Sequence, residues 1–285
     1  MKKYLLAFIG ILLSHTTYAI DVDAGDYDYA PNGTNLAILY YQHANRDSLY
    51  IGNNKSDVNV KLVSDVTIAR FAHYMSLGNF QIAPQIFIPV GYLNASKDIS
   101  SYGNNSGLGD IIIATTFFVY HNEETKTNIG ITPYLFLPTG KYSQNEILNI
   151  GENRLKFTLQ GGYTTQLIDK VRFDAVADFT VYGDNKDAIG GGTLQQDIGY
   201  QVQTSLRYQL NPQTDLRAGL SYSYAGDTEQ NNIKTSSLTQ TKFVIGAAYS
   251  PSARTQLIAN YGRDLSVENG FKESNRINLR FLYAF

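Results

Sequence analysis

Apolar and polar residues alternate along almost the whole of this chain. The clearest stretch runs from Asp197 to Leu210. Ile198, Tyr200, Val202, Thr204, Leu206, Tyr208 and Leu210 share one parity, while Asp197, Gln201, Gln203, Ser205, Arg207 and Gln209 share the other. Successive side chains of a strand point to opposite faces, so a period of two predicts a strand with one apolar and one polar face. Twelve such segments recur, at roughly 34–43, 60–75, 79–90, 109–120, 127–138, 154–168, 171–182, 195–210, 213–225, 238–250, 253–262 and 274–285. Helical periodicity is not apparent between them.

The links between segments alternate in length. Short ones fall at Ser76-Leu77-Gly78, His121 to Lys126, Asp169-Lys170, Asn211-Pro212 and Pro251-Ser252. Longer, polar links rich in Gly and Asn occupy 44–59, 91–108, 139–153, 183–194, 226–237 and 263–273. Short turns at one end and long loops at the other are the pattern of a transmembrane antiparallel up-and-down β-barrel, with turns periplasmic and loops extracellular. An even number of strands returns both termini to the periplasmic side.

Period two alone does not say which face is inside. A soluble barrel would bury its apolar face, but here that face carries many Tyr and Phe side chains, too bulky for a small barrel. The polar faces are runs of Gln, Ser, Thr and Gly suited to a wet lumen. The final strand places Ile277, Leu279, Phe281, Tyr283 and Phe285 on one face and Arg276, Asn278 and Arg280 on the other. A terminal strand closing on an aromatic residue resembles the assembly signal of bacterial outer-membrane barrels. It implies outer-membrane lipid and the barrel-assembly machinery as partners.

The N-terminus fits export. Lys2 and Lys3, an apolar run from Tyr4 to Leu13 and the small-residue site Thr17-Tyr18-Ala19 read as a signal peptide over 1–19, cut after Ala19. The apolar run of about ten residues falls short of the roughly 20 that a spanning helix needs. Residues 20–33 would then be a periplasmic N-terminal segment and 34–285 the barrel, in the outer membrane of a Gram-negative cell. After cleavage 21 basic residues face 25 acidic ones, which leaves no footprint for nucleic acid. The chain has no Cys, so disulfides and thiolate metal sites are excluded.

An Arg or Lys facing lipid at mid-depth costs roughly 2–4 kcal/mol, so the strand charges should face inward. The expected lumen lining is Asp174, Asp178, Asp197, Arg207, Arg217, Lys242, Arg254, Arg276 and Arg280, with Arg172 beside them. Such a wall either orients polar solutes or pairs internally and fills the bore. Asp65 and Arg70 have opposite parity, so one lies near an interface or a bulge shifts the register. The segment Asp21 to Asp28 packs four acids, yet lacks the distal Glu and flanking helices of a calcium loop. It reads as a periplasmic or plugging tail. Gly190-Gly191-Gly192 and Gly107-Leu108-Gly109-Asp110 precede no helix and no Lys, so they are loop glycines. No cofactor or metal site emerges. His43, near Asp47 and Ser48, is the one residue that could serve a hydrolase, without a local motif to support it.

Several blocks together resemble the MetA-pathway of phenol degradation family of outer-membrane transporters. They are Asp23-Ala24-Gly25-Asp26-Tyr27 with Pro31-Asn32-Gly33-Thr34-Asn35, Ser106-Gly107-Leu108-Gly109-Asp110, Thr132 to Gly140, Gly151-Glu152-Asn153-Arg154, Tyr182-Gly183-Asp184-Asn185, and Tyr261 to Lys272. The resemblance covers essentially the mature chain. It implies a barrel for uptake of aromatic or other organic small molecules, not an enzyme, and names neither a solute nor a binding residue. The alternative is a non-conducting structural or adhesive barrel. It would act through loops 91–108 and 139–153, with Tyr102, Tyr142 and Ile147 exposed.

Overall fold

The structure, a computed structural model, describes residues 21–285; the expected signal peptide lies outside the described residues. Twelve long strands form one closed antiparallel barrel: β1 Asn35–Ile51, β2 Val60–His73, β3 Phe80–Lys97, β4 Ile112–Asn122, β5 Thr127–Phe136 and β6 Lys156–Ile168. The second half comprises β7 Val171–Tyr182, β8 Gly199–Asn211, β9 Thr214–Tyr224, β10 Thr239–Ser252, β11 Thr255–Glu268 and β12 Gly270–Ala284. Each pairs with its sequence neighbour, and β12 closes on β1 from Leu36↔Ala284 to Tyr50↔Gly270. Closure leaves no open edge, which a lipid-embedded sheet requires. Asn35 and Phe285 exchange backbone hydrogen bonds of 3.0 Å, so β1 begins where β12 ends.

The outer face carries the apolar parity. Leu39, Phe71, Val90, Leu206, Leu220, Ile245, Leu279 and Phe281 are all exposed there, while their neighbours Arg70, Arg207 and Arg280 are buried inside. The opposite parity of Asp65 and Arg70 is resolved without a bulge: β2 runs in unbroken register with β1 and β3. Arg70 faces the lumen. Asp65 faces outward, where its carboxylate accepts from Tyr41 Oη at 2.7 Å and lies 2.8 Å from His43 Nδ1. Its ladder neighbour Tyr92 is the last large apolar residue on the outer face of β3, so Asp65 sits at the border of the apolar band.

Several strands run further than their alternation. β1 continues to Ile51 and turns back through Asn54–Lys55, and β3 continues to Lys97 and takes Asn104–Leu108 as an added strand. Backbone pairing persists above the level where the outer face needs to be apolar, so hydrophobic patterning stops before the strand does. Beyond the barrel, Leu194–Gln196, Thr228–Gln230 and Ile233–Thr235 form a small separate sheet built from two long loops.

The long-loop end carries a dry core. Leu49, Val60, Leu62, Leu93, Ala95, Ile99, Tyr102, Leu148 and Phe271 bury one another, with Val58, Ile147 and Ile150 packed against them. Tyr102 is therefore not the exposed loop residue expected, and Ile147 and Tyr142 are half-buried. The loops fold inward because their apolar side chains can leave water only over the barrel rim.

Candidate functional site

The acidic segment after residue 20 lies inside the barrel. It enters beside the chain's start of β1, where Gln81 Nε2 donates to Ala30 O and Gly33 N to Tyr74 O. From there each acid meets a basic side chain of the inner wall. Asp28 pairs with Arg207 at 2.7 Å and Arg172 at 2.8 Å; Asp26 pairs with Arg280 at 2.6 Å and Arg70 at 3.1 Å. Asp23 takes Arg280 at 3.3 Å and accepts from Asn260 Nδ2 at 3.0 Å, while Asp21 takes Arg276 at 2.6 Å and Lys242 at 3.9 Å. The main chain is held too: Arg217 Nη1 donates to Ala24 O, and Gly25 N donates to Asp174 Oδ1.

These partners encircle the tail. Arg70 on β2 and Arg207 on β8 stand six strands apart in a ring of twelve, so Asp26 and Asp28 span the bore between them. Between the two acids, Tyr27 turns toward a third side. Its hydroxyl lies 3.0 Å from Thr132 Oγ1 and donates to Gln160 Oε1 at 3.0 Å. The ring lies flat on glycine: a Cβ at Gly162 would sit 2.1 Å from Tyr27 Cδ2, and one at Gly130 would sit 2.6 Å from Cδ1. Those two glycines on β5 and β6 are the seat of the tyrosine.

Burial by itself disfavours ionisation of the tail carboxyls, but the arginines outweigh it. Arg280 and Arg70 hold Asp26 below the usual carboxylate range. Arg207 and Arg172 do the same for Asp28, and Arg276 and Lys242 for Asp21.

Above the tail lies a cavity of about 290 Å³. Its two sides differ. β2 to β5 present Val66, Ile68, Phe87, Pro89, Ile112, Tyr134 and Phe136 beside the single charge of Arg70, whereas β10 to β12 and the far half of β1 present Lys242, Glu273, Arg276, Arg280 and Arg46. Asp21, Asp23 and Asp26 form part of its boundary, and Asn149 and Ile150 reach in from the loop between β5 and β6. That loop is clasped by Asp110, whose Oδ1 accepts from Gly140 N and whose Oδ2 accepts from Glu152 N, each at 2.9 Å. Gly140 and Gly151 meet backbone to backbone, where a Cβ on either would lie under 3.0 Å from the other. Glu152 in turn pairs with Arg154 at 2.7 Å and with Lys156. The Gly-Asp and Gly-Glu-Asn-Arg blocks of the sequence are thus the two halves of one clasp.

Of the residues expected to line the lumen, Asp174, Asp178, Arg207, Arg217, Arg276 and Arg280 are buried on the inner wall, and Lys242 lines the cavity. They do not segregate into an acidic and a basic side. Asp174 is bound to Arg207 at 2.9 Å, Arg217 to Asp215 at 2.5 Å, and Asp178 accepts from Gln160 Nε2 at 3.2 Å. Two expectations are corrected. Asp197 is exposed in the loop before β8, its backbone bonded to Asp227 O, and Arg254 is exposed in the turn between β10 and β11. Both continue the inward parity in sequence, but the strand pattern that carried that parity ends before it reaches them. Sequence reasoning missed Arg70 as a site residue and the apolar cavity wall. The four closely spaced acids of the tail were the available sign that an excess of inward arginines needed partners.

His43 is not part of a catalytic constellation with Ser48. It faces outward onto Asp65, whereas Ser48 is buried with its hydroxyl donating to Asp47 at 3.2 Å. Among the described residues no group of acidic and histidine side chains could hold a metal ion.

The fold and the inner wall can be set beside known proteins. A crystal structure of an outer membrane channel from Pseudomonas putida F1 superposes with a TM-score of 0.89 at 36% identity, covering 93% of this chain and all of that one (100%). The β domain of the Bordetella autotransporter BrkA gives 0.57 at 9% identity, covering 90% of this chain and 100% of that one. A TodX deltaS2S3 mutant, a monoaromatic hydrocarbon channel, gives 0.54 at 10% identity over 90% and 91%. These last two share the fold alone. Among curated proteins none matches. The family model for the MetA-pathway of phenol degradation matches residues 44–281, and with that span and the Pseudomonas channel's identity the chain belongs to this family.

Proposed function

We propose that the exported chain is an outer-membrane channel that passes small organic compounds, aromatic ones among them, passively. The observation that carries this reading is the cavity inside a closed barrel, about 290 Å³ with an aromatic and aliphatic wall facing a charged one. An apolar concavity with a few placed polar groups is the usual form of a small-molecule site. The similar Pseudomonas protein is a channel, and the TodX barrel is a channel for monoaromatic hydrocarbons. On this reading the short turns, the start of β1 and the end of β12 are periplasmic. Residues 1–19 are removed on export, and the β12 strand ending at Phe285 is presented to the assembly machinery. The inner-wall charges form the transport path, with Arg70 and Arg172 added to the buried residues named above. The experiment is flux of radiolabelled toluene derivatives into liposomes carrying the mature chain, against empty liposomes. Entry at the empty-liposome rate both with the mature chain and with the chain lacking residues 21–33 would end the channel reading.

The docked tail favours a second reading, a barrel whose filled lumen conducts nothing and whose loops do the work. The two readings part on whether removing the tail opens a path.

A further inference from the structure

The tail and the wall that holds it carry opposite charge, and the imbalance has chemical content. The six side chains paired with the tail's acids are Arg70, Arg172, Arg207, Lys242, Arg276 and Arg280. In the same ion-pair network the wall's own acids are Asp174, on Arg207, and Glu273, shared by Arg46, Lys242 and Arg276. With Arg46 the network has seven bases against two wall acids, and the four tail carboxylates supply most of the remaining counter-charge. Without them the wall around the bore is basic, buried and costly to leave unpaired.

At Asp26 this basic wall meets the apolar one. Arg70 and Arg280 converge on its two oxygens, Oδ2 at 3.1 Å and Oδ1 at 2.6 Å. The Arg70 guanidinium lies over the Phe87 ring, 5.0 Å from its centroid, and Arg280 lies 5.5 Å from that of Tyr40. Phe87 packs on Tyr134, and both line the cavity that Asp26 borders. The pair of arginines beside an aromatic wall is a receptor for a molecule with a carboxylate at one end and a flat apolar body at the other. The tail occupies only its charged half.

We propose that the cargo is an organic carboxylate with an apolar, preferentially aromatic body, and that the acidic tail is its internal stand-in. The cargo's carboxylate takes the place of Asp26 on Arg70 and Arg280 while its ring rests on Phe87 and Tyr134. Binding thereby frees the tail from the wall, so entry of the solute and opening of the path are one event. This inference rests on the channel reading and narrows its substrate class.

The test uses the mature chain in detergent, with cleavage of the tail by an added protease as the sign of its release. Four solutes are titrated at equal ionic strength: benzoate, benzyl alcohol, acetate and chloride. Benzoate should expose the tail at a concentration at least about tenfold below any of the others, since it alone offers both charge and ring. Arg70→Lys, which keeps the charge and loses the fork, should cut that advantage at least severalfold while the barrel remains folded by its heat-modifiable mobility on gels. Equal potency of the four solutes, or no release by any, overturns the inference. Swelling of liposomes carrying the barrel without residues 21–33, in a neutral sugar, reports the pore itself. Swelling without benzoate preference removes the substrate class and leaves the channel; no swelling removes both.

Discussion

Two regions of the barrel are held together by different chemistry. Across the bore, the tail is held by ion pairs and hydrogen bonds between Asp21, Asp23, Asp26, Tyr27 and Asp28 and a ring of polar wall residues. At the long-loop end, Leu49, Leu62, Leu93, Ile99, Tyr102, Leu148 and their neighbours pack as a dry cluster over one sector of the rim, from β12 to β3. A charge-paired contact responds to acid, anions and loss of single partners. An apolar one responds to lost volume and hardly to salt. The tail is thus the contact built to be exchanged, and the rim cluster is the one built to last.

The sharpest separation comes from unpairing the tail. Removing one member of a buried ion pair costs about 3–5 kcal/mol, so Asp26→Asn with Asp28→Asn should shift tail docking at least about a hundredfold. Limited proteolysis of the tail reads this directly, and the melting temperature of the barrel should hardly move. Acid should act in the same direction. Asp21, Asp26 and Asp28 have folded values held below the ordinary Asp value of about 3.9. Their contribution to docking is therefore full at neutral pH and is lost as pH falls below that ordinary value through the depressed folded ones. Protease sensitivity that stays flat from pH 7 down to about 3 would contradict the ion-pair account.

Leu148→Ala addresses the rim cluster. Its side chain is buried in the rim cluster, and a Leu→Ala change at such a site costs about 2–5 kcal/mol. Here the rim should loosen, seen as faster amide exchange in the loop between β5 and β6, while tail proteolysis stays at the wild-type rate. Gly162→Ala is gentler and acts on the tail alone. Its methyl would invade the Tyr27 ring, an overpacking cost of about 1–3 kcal/mol, so tail cleavage should rise about tenfold or more with the rim unchanged. The smallest effect is expected on the outer face, away from both the tail and the rim cluster. Asp65→Asn weakens a half-exposed pair with His43 worth about 0–1 kcal/mol, and neither the melting temperature nor tail cleavage should shift measurably.

These contrasts also mark what could be read from sequence. Strand number, handed alternation of loops and the facing of Arg207 or Arg280 follow from a period of two and the cost of charge in lipid, both local properties. The docking of Asp26 on Arg70 and Arg280 joins residues 44 and 254 positions apart. No spacing in the chain encodes such a contact; only closure of β12 on β1 creates it. The acidic tail was visible as four clustered carboxylates, but its place inside the barrel depends on the surplus of inward arginines, which is a property of the assembled wall. Asp197 and Arg254 show the converse limit, since parity continues on paper past the point where the strand has ended. Tyr102 shows another: a loop residue is exposed only if the loop has nothing apolar to fold onto, and here it has the rim.

A bore held shut by its own acidic tail opens when the tail is removed. Single-channel conductance in planar bilayers, comparing the mature chain with the same chain lacking residues 21–33, tests it most directly. The full chain should show a small conductance, and the chain without its tail one several-fold larger. Equal conductance of the two, or none from either, would contradict it.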